Sequence, residues 1–498
     1  MAKKYFLGID NGTTGTTALL LDENWQQVGR GYKELTTFYP NDGWVEQDAE
    51  EIWDTVLYAT QAACDAAGIK PTDIACMGID NVGETVVLWD KTTGKPVYHA
   101  IVWQDRRTAR YCDSMKEKWD DFVKARAGVM IDSYFSATKI KWILDNVEGV
   151  KEKVAQGKIL ASTLDGWFFW KLTKGQVFAT DASTASRTML MNYLTGKWDK
   201  DLLDLFEINP NMLAEICDSS HVFGYTEPDV FLGARIPIGG GIVDQQSSLF
   251  GQGCLEAGMT KCTYGTGCFM LMNTGNKPVN SPNGLLTTVA WQLDGKMSYA
   301  LDGGIYVAGA ATQWLRDKLG IIKSASETEK MALDAGTNGG VFFVPAFSGL
   351  AAPHWDSYAR GTMVGITGGT TKEQIVRATL EATAYQVKDN LDVMNTDSGF
   401  PTKRLRVDGG AVVNNFLMQF QSDILNVPID VPQISETTAL GAAYLAALAT
   451  GEFKSIEEIA ANWKVARSFE PKMSEDQRQA LMHKWHKAVE RAKAWAED

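Results

Sequence analysis

Hydrophobic positions in the first 35 residues come in runs rather than at helical spacing. Residues 5–10 and 18–21 are apolar stretches separated by Asn11-Gly-Thr-Thr-Gly-Thr-Thr17, which predicts two strands joined by a glycine-and-hydroxyl turn; residues 28–35 predict a third strand. The period then changes. Ile52, Trp53, Val56, Leu57 and Thr60 recur at helical spacing behind Asp48, the expected helix cap. Residues 74–79 read as a buried strand, and residues 86–97 as a hairpin turning at Gly94. From 111 to 205 helical spacing dominates, with tryptophans on one face of 138–146 and of 164–172, predicting a helical cap over the first sheet. The glycines of 237–241 read as a turn closing this half, and the chain restarts near 251–258. The expected domains are therefore 1–250 and 251–498.

In the second half, Thr371 with Gln374 predicts a capping box for a helix reaching about Met394, with Ile375, Ala378, Ala382 and Tyr385 on its buried side. Residues 415–425 predict another helix, 438–449 a helix of small residues suited to close packing, and 474–496 an amphipathic helix with His483 and His486 on its solvated face. Strands and helices alternate, so the class is α/β.

The turns carry the candidate chemistry. Gly12 and Gly15 let the backbone approach a ligand closely, Thr13, Thr14, Thr16 and Thr17 supply hydroxyls, and Asp10 ends the first strand where its carboxylate can hold magnesium. The design recurs at residues 261–273 around Gly265-Thr266-Gly267, and a third glycine turn, Asp408-Gly-Gly-Ala411, follows a short strand. Neither the P-loop pattern nor the dinucleotide fingerprint is present. Three such turns describe a two-domain actin-like ATPase fold, ribonuclease H-like, with a nucleotide cleft between the domains.

The 498 residues are too many for one core. A formal charge of −13 with scattered basic residues argues against nucleic acid and anionic membranes as partners. Seven cysteines without a Cys-x-x-Cys pair read as reduced core residues, and five histidines show no zinc spacing. With no signal peptide and no apolar run of membrane-spanning length, the expectation is a soluble, cytoplasmic protein.

Gly8-Ile-Asp-Asn-Gly-Thr-Thr14, Gly43-Trp-Val-Glu46, Ala100-Ile-Val-Trp103, Tyr134-Phe-Ser136, Asp244-Gln-Gln246, residues 263–270, residues 345–350 and Asp408-Gly-Gly-Ala411 together resemble the FGGY carbohydrate kinases over nearly the whole chain. Within that family they are most similar to the kinases of glycerol. The resemblance implies ATP-dependent phosphorylation of a terminal hydroxyl of a small polyol, with Mg2+. It assigns Asp244 as general base and Asp10 as the magnesium carboxylate. Glu84, Trp103, Tyr134, Asp244, Gln245 and Phe269 become the polyol pocket. Thr13, Thr14, Thr266, Gly267, Gly309, Gln313, Gly410, Ala411 and Asn414 become nucleotide contacts. The assembly is left open between homodimer and homotetramer.

Three positions depart from the family pattern. Gly83 and Thr17 stand where arginines are usual, and Val243 replaces a glycine before Asp244. The missing arginine at 83 implies an empty volume and weaker glycerol binding, so the alternative acceptor is a longer polyol or a ketose. A non-transferring actin-like ATPase, or a phosphatase on the same fold, would share the turns but would not need Asp244 beside Trp103, Glu84 and Phe269.

Overall fold

The computed structural model describes residues 4–497. The expected opening hairpin forms, Tyr5–Asn11 against Gly15–Leu21, with Asp10 opposite Thr17. It belongs to a six-stranded sheet in the order Ser220–Tyr225, Pro237–Val243, Ile74–Asn81, Tyr5–Asn11, Gly15–Leu21, Gln27–Glu34. Its three central strands run parallel, so Asp10, Asp80 and Asp244, the residue after Val243, come to the same edge. That edge is where an open α/β sheet presents its ligand site.

Residues 237–241 are therefore strand rather than turn. Their glycines serve packing: the small-residue helix Thr437–Ala449 lies so close that a Cβ at Gly240 would stand 2.6 Å from the Ala442 carbonyl oxygen, and one at Gly78 or Gly8 only 1.9 Å from a carbonyl of the same helix. The close packing expected of that helix is borne out.

The second half carries a seven-stranded sheet in the order Leu286–Leu293, Lys296–Ile305, Cys268–Gly275, Thr260–Tyr264, Leu405–Asp408, Ile429–Pro432, Val465–Phe469. It repeats the first arrangement. The hairpin Thr260–Tyr264 with Cys268–Gly275 lies beside the parallel strand Leu405–Asp408, as Tyr5–Asn11 lies beside Ile74–Asn81. The helical region of the first half holds helices Ala109–Ala127, Ser136–Asn146 and Leu164–Leu172, but also a strand, Ile159–Thr163, which pairs with Val86–Asp90 in a five-stranded sheet. Five apolar or small residues suit a buried strand or a helical turn equally, and only the partner strand decides.

Asp48 caps its helix through the Glu50 N–H, and Thr371 and Gln374 form the reciprocal capping box of Lys372–Ser398. That helix runs four residues past the expected Met394, to a left-handed Gly399. His483 and His486 are both exposed, as expected, and His486 is in addition bonded through Nε2 to Asp389 at 2.9 Å. The cysteines are unpaired, and six of the seven are buried. Among the described residues no helix is long and apolar enough to cross a membrane.

Candidate active site

The strand edge of the first sheet gathers the acceptor residues. Glu84 sits just past Ile74–Asn81 with φ of 61°, a conformation that costs a non-glycine residue energy and that the Ser136 hydroxyl helps hold by bonding its carbonyl. Trp103 packs edge-on to Tyr134 with centroids 5.6 Å apart and to Phe269 of the second hairpin at 6.5 Å. Its indole Nε1 donates to Thr13 Oγ1 at 2.9 Å, so this aromatic cluster is bonded directly to the first glycine–threonine turn. Asp244 begins the helix Asp244–Gly251 and accepts from the Gln245 N–H at 2.7 Å and the Gln245 amide at 3.2 Å. The Gln245 carbonyl oxygen in turn accepts from Lys261 Nζ at 2.6 Å. The structure thus brings Glu84, Trp103, Tyr134, Asp244, Gln245 and Phe269 together.

Three charged residues without an assigned role belong to the same cluster. Arg187 donates through Nε to Glu84 Oε1 at 2.6 Å and lies 3.3 Å from Asp302 Oδ2 through Nη2. Lys261, buried at the start of the second hairpin, reaches Gln245 and Thr263. Asp80 pairs in register with Asp10, and both its carboxylate oxygens are buried without a partner. Asp80 had a signal in the sequence, a carboxylate ending an apolar strand. Arg187 stands among alanines and hydroxyl residues with nothing around it to mark a site.

The volume expected at Gly83 is not empty. A Cβ there would stand 2.7 Å from Val243 Cγ2 and 3.7 Å from Arg187 Cγ. Val243 and the stem of Arg187 occupy the space, and Gly83 is small because they do.

Burial governs the titration of this cluster. It raises Asp244 above the ordinary carboxylate range, with the Gln245 bonds and the charges of Lys261 and Arg187 pulling the other way. It pushes Glu84 up to about 7 against the pull of Arg187. Arg187 itself loses by burial but gains more from Glu84, Tyr134 and Asp302, and stays charged. Lys139 falls to about 8 by burial.

The nucleotide candidates line a more open surface. Gly267 and Gly309 interlock: Gly309 N–H donates to the Gly265 carbonyl at 3.0 Å, and a Cβ at Gly267 would meet the Ile305 carbonyl oxygen at 2.3 Å. Thr266 is exposed at the tip of its turn, its carbonyl accepting from Ala308 and Ala310. Gln313 is exposed on the helix Gly309–Asp317. Gly410 is exposed with open space where a side chain would be, and Ala411 follows it in the short turn Gly410–Val413. Asn414 caps the helix Asn415–Leu425 by accepting from the Leu417 N–H at 2.9 Å, while its amide meets Thr328. Thr13 is partly buried and Thr14 exposed on the first turn. Gly15 closes that turn by accepting from the Gly12 N–H at 3.0 Å.

Asp10 is raised to about 7 by burial and by the charge of Asp244. With the unpartnered oxygens of Asp80 beside it, the strand edge is a concentration of carboxylate that a cation would relieve. Among the described residues no three His, Cys, Asp or Glu side chains converge on one metal position.

The N-terminal domain of the FGGY family of carbohydrate kinases matches residues 5–251, and the family's C-terminal domain matches residues 260–450. Glycerol kinase 2 of Thermotoga maritima is 56% identical over 493 residues, covering 99% of each chain. The glycerol kinase of Caldanaerobacter subterraneus is 54% identical over 496 residues, covering 99% of this chain and all of its own. Among solved structures, Plasmodium falciparum glycerol kinase with ADP superposes with a TM-score of 0.91 at 37% identity, covering 98% of each chain.

Proposed function

This chain belongs to the FGGY family of carbohydrate kinases, and from that premise we propose that it transfers the γ-phosphoryl group of ATP to a terminal hydroxyl of glycerol. The observation that carries the reading is the bond between Trp103 and Thr13. It ties the aromatic cluster of Trp103, Tyr134 and Phe269 to the first glycine–threonine turn, with Asp244 at the same strand edge.

In this reading Trp103 and Phe269 lie against the carbon chain, and Glu84, Tyr134 and Gln245 hold hydroxyls. Asp244 accepts the proton of the attacking hydroxyl as the new P–O bond forms. A carboxylate raised by burial is a stronger base than a solvated one, and the charges of Lys261 and Arg187 oppose that rise. The backbone N–H groups of the two hairpin turns, with Thr13, Thr14, Thr266 and Gly267, cradle the phosphates, while Gly309, Gln313, Gly410, Ala411 and Asn414 hold the nucleoside. Asp10, with Asp80 beside it, would hold Mg2+, whose charge screens the phosphate oxygens from these carboxylates. The main division of labour is 1–250 for acceptor and base and 251–498 for nucleotide, with Phe269 crossing to the acceptor and Thr13 and Thr14 to the phosphates, and ATP supply and reduced thiols suit the cytoplasm.

ADP release from ATP, measured with glycerol, erythritol, xylitol and xylulose in turn, tests the reading. Strong stimulation by glycerol is expected. ATP hydrolysis indifferent to every acceptor would overturn it in favour of a non-transferring ATPase.

A further inference from the structure

Arg187 has a role in holding the cluster together, but that role does not use the whole guanidinium. Asp181 caps the short helix Ala182–Ala185, accepting from the Ser183 and Thr184 N–H groups at 2.9 and 2.8 Å and from the Ser219 hydroxyl at 2.6 Å. The Arg187 N–H continues this structure by donating to the Thr184 carbonyl, so the backbone that launches the side chain is fixed. The side chain is 4% exposed. Glu84 takes Nε and Asp302 faces Nη2, and the Tyr134 and Phe135 rings flank the guanidinium with centroids 5.7 and 5.4 Å from Cζ. Nη1 remains buried without a hydrogen-bond partner. A charged donor left unmade in a buried site is costly, and proteins keep few of them without a ligand to complete the set.

The side chain that carries the orphan donor adjoins the acceptor site on independent grounds. Its guanidinium shares Glu84 and Tyr134 with the pocket, and its stem walls Gly83 together with Val243. Two carboxylates fix two edges of a rigid fork, which leaves the remaining edge oriented before any ligand arrives.

We propose that Arg187 is a specificity-determining residue for the acceptor: its Nη1 donates to a hydroxyl oxygen of a small polyol whose neighbouring hydroxyl is held by Glu84. The inference rests on the kinase reading above and extends it to the acceptor's chemistry. A fixed donor beside a fixed acceptor recognises adjacent hydroxyls, and the bulk of Val243 and of the Arg187 stem limits the chain length that fits.

Full-length enzyme and the variants Arg187→Lys and Arg187→Met are assayed with glycerol, 1,2-propanediol and 1,3-propanediol, each diol lacking one hydroxyl. Parent enzyme should favour glycerol over at least one diol by roughly 10- to 100-fold in kcat/KM, the range of a lost hydrogen bond to a charged group. In the variants that preference should fall to within a few-fold, with KM for ATP unchanged. Arg187→Lys keeps the charge that neutralises Glu84 and so preserves the fold if the methionine variant does not. A folded variant that keeps the parental ratio for both diols would overturn the role of Arg187 while leaving the kinase reading intact. Parent enzyme that phosphorylates none of the three overturns the kinase reading itself, and the inference with it.

Discussion

The proposed acceptor side and the proposed nucleotide side are built on the same hairpin but by opposite means. On the acceptor side, charged and polar side chains are assembled and bonded to each other before any ligand arrives: Glu84 to Arg187, Gln245 to Lys261, Trp103 to Thr13. On the nucleotide side the working parts are backbone and glycine, with Thr266, Gln313 and Gly410 exposed and Gly410 open around its α-carbon. One side discriminates by the position of fixed charges. The other accepts a constant ligand through N–H groups, which need close approach rather than side-chain chemistry.

The comparison breaks most sharply at Asp244. Asp244→Asn keeps shape and the bond from the Gln245 N–H, gives up the longer one from the Gln245 side-chain amide and removes the proton acceptor, so turnover should fall on the order of 10²- to 10⁴-fold with KM for ATP little changed. Steady-state kinetics on a variant whose melting curve matches the parent's checks this, and near-normal turnover would exclude Asp244 as base.

Gly267→Ala probes the other side. The new methyl would stand 2.3 Å from the Ile305 carbonyl oxygen, so the turn must shift, at a cost of roughly 1–3 kcal/mol. KM for ATP should rise about tenfold while KM for glycerol stays within a factor of two. Equal losses for both substrates would show that the two sides are not separable.

Gly83→Arg, which a vacant pocket would welcome, should instead lower Tm by several degrees, because Val243 Cγ2 stands 2.7 Å from the first atom added. The double variant Gly83→Arg/Val243→Gly should recover most of that loss, measured by calorimetry. A single variant as stable as the parent would mean that Val243 yields easily and the pocket is less rigid than its charge network implies.

The smallest effect concerns pH. Because Asp244 is raised by burial, the acid limb of kcat/KM should lie above the ordinary aspartate range of about 4, with activity lost as pH falls through it and the base takes up a proton. Lys261 lowers the pKa of Asp244, so Lys261→Met should move the limb further toward neutrality, by about one pH unit or less. A limb that stays in place would remove Lys261 from the electrostatics of the base.

How much of this was legible in the chain depended on the kind of signal. The two glycine–threonine hairpins, the Asp48 and Thr371 caps and the alanine-rich helix announce themselves through local pattern, and local pattern is what the backbone obeys. Residues 237–241 misled because glycine signals a turn when read alone, whereas here it makes room for a helix that lies about 200 residues further on. The strand Ile159–Thr163 was hidden for the same reason, since its partner is Val86–Asp90 and nothing nearby reveals it. Arg187 lay beyond reach altogether. Its meaning comes from Glu84 and Asp302, 103 residues before it and 115 after.

Along Gly8, Gly78 and Gly240 the helix Thr437–Ala449 rests on the first sheet through main-chain atoms, while Phe6, Leu19 and Ile242 of the sheet share one apolar cluster with it. Surfaces that carry side-chain ridges mesh like gears and resist turning. This one is closer to a journal bearing. The Ser247 hydroxyl on the Thr438 carbonyl and the Ser220 hydroxyl on the Leu445 carbonyl pin it near both ends against sliding, and Asp408, bonded to both Ser248 and Thr437, ties it to the hairpin sheet of the other half. Movement that brings the nucleotide turns toward the acceptor should therefore be rotation about this axle, and small-angle scattering with glycerol and a non-hydrolysable ATP analogue should show the particle contract. Any side chain at Gly78 would stand 1.9 Å from the Ala442 carbonyl oxygen and force the axle off the sheet, costing the enzyme stability without touching any atom that meets a substrate.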